Sequence, residues 1–88
     1  MKIKSTFILR KIAGVSVVVP VGDATKDLDG MMKLNETGEF IFTKLQNEDL
    51  TEDELVSRLT EEYDVDENRA REDIAQFIGK LNEIHCFE

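Results

Sequence analysis

Apolar residues along this chain follow two periods, and the change between them falls at Asn35. Before it, Phe7-Ile8-Leu9-Arg10-Lys11-Ile12 and Val15-Ser16-Val17-Val18-Val19 are rich in β-branched and aromatic residues, with Ala13-Gly14 between them as a tight reversal. Two antiparallel strands follow from this. Pro20 lacks an N–H and Gly22 is permissive, so the second strand is expected to end at Val19, and Asp23 to Gly30 is polar enough to be a loop. Asp29-Gly30, a common turn pair, then delivers the chain into a third strand over Met31 to Leu34.

From Asn35 onward the period becomes helical. The Asn35 side chain is placed to cap the free N–H groups of the next turn, and Glu36 and Glu39 put negative charge at the positive end of the helix. That helix, Glu36 to about Leu45, sets Gly38, Ile41, Phe42 and Leu45 on one face. Gly38 costs helix propensity, so it is expected to admit close approach of another backbone. Thr51 with Glu54 predicts a capping box for a second helix, with Leu50 and Leu55 at the staple positions and a stripe of Leu55, Val56, Leu59 and Tyr63. Asp64-Val65-Asp66 breaks it. Asp66 caps a third helix to about Glu83, whose Ala70, Ile74, Phe77, Ile78 and Leu81 share one sector of the wheel, and Ile84 to Phe87 adds a short extended tail. The fold class is therefore α+β: a three-stranded antiparallel sheet followed by three helices, of winged helix-turn-helix type, with residues 1–88 as one domain.

Charge narrows the partners. Residues 1–34 carry six basic and three acidic side chains, net +3, whereas residues 35–88 carry five basic and sixteen acidic ones, net −11. The helical half repels phosphate, which disfavours nucleic acid and anionic membrane as partners. Lys2 and Lys4 before Phe7-Ile8-Leu9 imitate a signal peptide, but Arg10-Lys11 interrupts the apolar run and no small-residue cleavage pattern follows. No apolar run approaches the ~20 residues of a membrane span, and Cys86 is alone, so a soluble cytoplasmic protein is expected.

Candidate chemistry is sparse. Read as a calcium loop, Thr25 to Glu36 puts Asp27, Asp29, Gly30 and Glu36 at suitable positions, but its first position is uncharged Thr25 and the preceding segment is strand-like. His85-Cys86 offers two soft ligands that point apart on an extended chain, with no second Cys or His to complete a zinc site or a nucleophilic pair. Carboxylates lie in surface runs such as Glu52-Asp53-Glu54, and no glycine-rich phosphate loop is present. No enzyme, no cofactor and no metal site is expected.

What remains is surface. As an edge strand, Met31 to Leu34 offers free N–H and C=O groups to a partner strand, with Met31 and Met32 pointing to opposite faces. Helix three beside it supplies an apolar wall at Ile74, with Arg71 on one flank and Phe77 and Asp73 on the other. Periodicity alone reaches a protein-binding domain and no further.

Met32-Lys33-Leu34-Asn35-Glu36-Thr37-Gly38, the hydrophobic helix to Leu45, Thr51-Glu52-Asp53-Glu54-Leu55, Leu59 to Asp66 with its Tyr-Asp-Val-Asp turn, and Phe77-Ile78-Gly79-Lys80-Leu81 resemble the PqqD family. The similarity runs from about Phe7 to Phe87. It departs from the family pattern at Phe42, where Trp is frequent, at Glu67, where Pro often follows the turn, and in the tail after Glu83. The resemblance implies a non-catalytic chaperone or adaptor. Such proteins bind the leader segment of a ribosomally synthesised precursor peptide as a strand added to the third strand, against the third helix. They present it to a modifying enzyme, often a radical-SAM protein. Carried over by position, the contacts are Met31, Met32, Lys33 and Leu34 from the strand, and Arg71, Ile74 and Phe77 from the helix. Two other readings compete. One is a winged-helix DNA-binding regulator reading through Arg69, Arg71 and Lys80; the other is a homodimer formed through the same edge strand.

Overall fold

In a computed structural model, which describes residues 1–88, Ala13 and Gly14 hold φ angles of 52° and 80°. This left-handed pair is the turn that a right-twisted hairpin needs. It joins β1 (Phe7–Ile12) to β2 (Val15–Pro20), paired antiparallel from Ile12↔Val15 to Phe7↔Pro20. The second strand thus runs one residue beyond Val19, with Pro20 tolerated as its last residue. β3 (Met32–Leu34) pairs with the other side of β2 through Ser16↔Leu34 and Val18↔Met32, giving the order β1-β2-β3. Met31 lies just outside the strand. The segment expected to be a plain loop contains a 3-10 turn, Gly22–Lys26, which buries Ala24.

Strand alternation divides the sheet into two faces. Phe7 and Leu9, Ser16 and Val18, and Met32 and Leu34 face inward; apart from Ser16 they join the hydrophobic core. Ser16 instead donates its hydroxyl to Glu39 of α1 (Glu36–Asn47). Ile8, Arg10, Ile12, Val15, Val17, Val19, Lys33 and, continuing the alternation, Val21 and Met31 face outward. Ile12, Val15, Val21 and Met31, the exposed large hydrophobic residues of the protein, all fall on this outer side.

The helices begin where their capping residues place them. Asn35 Oδ1 accepts from the Gly38 N–H at 2.8 Å. Ahead of α2 (Glu52–Glu62), Thr51 and Glu54 bond reciprocally at 3.1 and 2.9 Å, completing the capping box. Asp66 accepts from the Arg69 N–H at 2.9 Å at the start of α3 (Glu67–Glu83). Helix α1 extends past Leu45 to Asn47, where Asn47 bonds back to the Thr43 carbonyl. The core joins Ile41, Phe42 and Leu45 of α1, Leu55, Val56 and Leu59 of α2, and Ala70, Ile74, Ile78 and Leu81 of α3. Tyr63 ends α2 half-buried, with its ring edge-on to Phe40 at 5.5 Å.

The terminal segments meet. Ile3 and Phe87 form an isolated bridge, the Lys4 N–H donates to the Cys86 carbonyl at 2.8 Å, and the Ile3 N–H donates to the Leu45 carbonyl at 2.9 Å. Ile3 and Cys86 are thereby core residues, and burial pushes the Cys86 thiol up to about 12. His85 is exposed and left-handed at φ 53°. No three His, Cys, Asp or Glu side chains converge as metal ligands, and no helix is long and apolar enough to cross a membrane.

Candidate functional site

β3 is paired on one side only, and the sheet register tells which of its backbone groups are left free. Across a two-residue turn the flanking pair, Ile12 and Val15, exchanges N–H···O bonds, and such pairs recur at every second residue. Val17 therefore spends its backbone groups on Arg10, while Ser16 and Val18 direct theirs to Leu34 and Met32. Lys33, opposite Val17, turns both its N–H and its C=O outward, and neither finds a backbone partner elsewhere in the fold.

Beside this edge lies α3. Met32, Lys33, Leu34 and Asn35 meet Phe77 and Lys80 around a small notch. The notch continues into a cleft of ≈ 270 Å³. Asn35, Thr37, Gly38 and Ile41 form one wall of the cleft, and Arg69, Asp73, Gln76, Phe77 and Lys80 form the other. Helix α1 comes this close to α3 because position 38 has no side chain: a Cβ built there would stand 3.3 Å from Phe77 Cε1. The approach that Gly38 permits is thus that of an aromatic ring, not of the backbone expected from the sequence.

Of the expected contacts, Met32, Lys33, Leu34 and Phe77 come together at the notch. Met31 is 53% exposed on the outer side. Two helix residues are corrected. Ile74 is completely buried in the core and offers no surface. Arg71 turns toward α2, where its guanidinium donates to Asp53 at 2.7 Å and lies 3.5 Å from Glu67. The physical reason is angular: Arg71 and Phe77 lie about 120° apart on the wheel, on opposite flanks of Ile74, so a groove on one flank excludes the other. Lys80 and Gln76, not expected as peptide contacts from the sequence, also line the cleft. The signal for them is the row Arg69, Asp73, Gln76 and Lys80 running alongside the buried stripe.

Charge is distributed with the same bias. The Asp53 hydrogen bond, reinforced by the neighbouring carboxylates, holds the Arg71 guanidinium above its ordinary range. Arg69 pairs with Asp73 at 3.4 Å. Two of the three basic residues proposed to read DNA are thus already neutralised within α3 and by α2.

The family described as coenzyme PQQ synthesis protein D (PqqD) matches residues 16–86. No curated protein matches the sequence. Among solved structures, "TbiB1 in Complex with the TbiA(beta) Leader Peptide" superposes with a TM-score of 0.75 at 23% identity, covering 100% of this chain and 95% of that one.

Proposed function

This chain belongs to the PqqD family, and on that footing we propose that it is a non-catalytic adaptor for a ribosomally synthesised precursor peptide. The leader segment of the precursor adds as a strand to β3, and the chain presents it to a modifying enzyme of the radical-SAM type. The observation that carries this reading is the outward-facing N–H and C=O of Lys33 beside a cleft lined by Phe77. Main-chain bonds to such an edge supply affinity, and the pockets on alternate sides supply selectivity. The match to TbiB1, a protein described in complex with a leader peptide, supports the same use of this fold. Met31, Met32, Lys33 and Leu34 form the strand side of the seat, and Phe77 with Lys80 forms the helix side.

An NMR titration of the labelled protein with the leader segment of a short peptide encoded beside its gene tests the proposal. The expected result is slowed amide exchange at Lys33, with shifts at Met31 to Leu34, Phe77 and Lys80 and none at Arg71. Lys33→Pro removes the outward donor while leaving the bonds of Met32 and Leu34 to β2, so it is expected to keep the fold and lose the peptide. Shifts confined to other elements, or undiminished binding by Lys33→Pro, overturn strand addition.

A further inference from the structure

The strand taken up at this edge has a chemical signature of its own. We propose that it is acidic at the residue directly across from Lys33 and apolar at the residues on either side. The inference rests on strand addition to β3 and specifies the class of peptide selected there.

Among residues 35–88 there are five cations. Arg58 is paired with Glu48, Arg69 with Asp73 and Arg71 with Asp53, and Lys44 stands over the Phe40 ring. Lys80 has neither kind of partner, and it lines the groove. Lys33, on the facing edge, is also without an anion. Lys33 on the outer side of the edge, with Arg69 and Lys80 on the groove wall, thus stands against the single carboxylate of Asp73, in a chain whose net charge is −8. Screening leaves charge effects a reach of about 8 Å at physiological salt, so a bound strand responds to these local cations more than to the distant acidic faces.

Geometry fixes which peptide residue responds. An antiparallel strand joined through the free groups of Lys33 places one residue in a hydrogen-bonded pair with it, both side chains on the outer face of the sheet. Across the sheet the row reads Arg10, Val17, Lys33: two cations, no carboxylate, and then the peptide residue. A carboxylate there completes the row, with cross-strand Cβ atoms about 5 Å apart. Its two neighbours point inward, onto Met32, Leu34 and Phe77, where apolar side chains bury surface. Lys80 stands at the groove margin and strengthens the preference for negative charge in the same strand.

The test is a selection of displayed random peptides on this 88-residue chain, followed by affinity measurements on synthetic members. The expected motif is apolar–acidic–apolar. In a selected peptide, Glu→Gln at the central position is expected to weaken binding about threefold to fivefold, and Glu→Lys by about tenfold or more. Lys33→Glu is expected to reverse the order so that the Lys peptide binds better, a swap that a folding defect does not produce. Lys80→Glu weakens the acidic peptides without reversing the order. If selected peptides protect the Lys33 amide yet show no acidic preference, this inference falls and strand addition stands. If no peptide is selected, or the Lys33 amide stays unprotected, both fall.

Discussion

The ring of Phe77 occupies the space that a side chain at Gly38 would take: a Cβ there would lie 3.3 Å from Phe77 Cε1 and 3.2 Å from the capping oxygen of Asn35. Alanine at position 38 gains about 1 kcal/mol of helix propensity and loses part of it to this crowding. Gly38→Ala is therefore expected to leave stability within about 1 kcal/mol of the wild type while weakening peptide binding, because the groove wall must shift to accommodate the methyl. Urea unfolding and peptide titration of the same variant check the two halves. Unchanged affinity would show that the ring position does not govern the seat.

Ile74 and Phe77 separate folding from binding. Ile74 is wholly enclosed, and Ile74→Ala is expected to cost about 2–5 kcal/mol by leaving a cavity. Phe77 is half-buried, so Phe77→Ala should cost less in a urea melt and more in a peptide titration.

Ala13 adopts φ 52° next to Gly14, a conformation that disfavours a residue with a plain Cβ. Asn-Gly suits this turn better than Ala-Gly. Ala13→Asn is expected to raise stability by about 1 kcal/mol, read as a higher urea midpoint with an unchanged slope, and to leave peptide affinity alone because the turn joins β1 to β2, on the opposite side of β3 from its free edge.

The Glu39 carboxyl is held below its ordinary value of 4.5, chiefly by the Ser16 hydroxyl and further by Lys11 at 3.5 Å. A depressed carboxylate contributes stability that is fully present above the unfolded value and is lost as pH falls through the folded one. Acid titration of the wild type should thus show a loss of stability beginning near pH 4.5 to which Glu39 contributes. In Glu39→Gln the deficit relative to wild type is expected at pH 7 and to narrow at lower pH. A deficit constant across that range would show that the carboxylate's charge is not what links Ser16 to α1.

Local signals placed most of the elements. Ala13-Gly14 located the hairpin, Asn35, Thr51 and Asp66 set the helix starts, and α3 runs to Glu83 as its periodicity predicts. What local signals do not carry is contact between distant parts of the chain. Ile3 and Cys86 enter the core because the two terminal segments bridge, and nothing in either segment's own pattern requires that. The groove divides the same way. A free edge is readable from strand order, but a helical wheel ranks residues by angle without saying which flank faces β3, so it groups Arg71 and Ile74 with Phe77 and does not single out Lys80.

An edge that accepts a foreign strand is also open to a strand of its own kind, which is how sheets polymerise. Here the outward position of that edge belongs to a lysine. Two copies meeting antiparallel about Lys33 would set ammonium beside ammonium, with Arg10 further along each row and no carboxylate in either to relieve them. On the proposed reading, the side chain that selects an acidic guest also disfavours pairing of two copies through this edge.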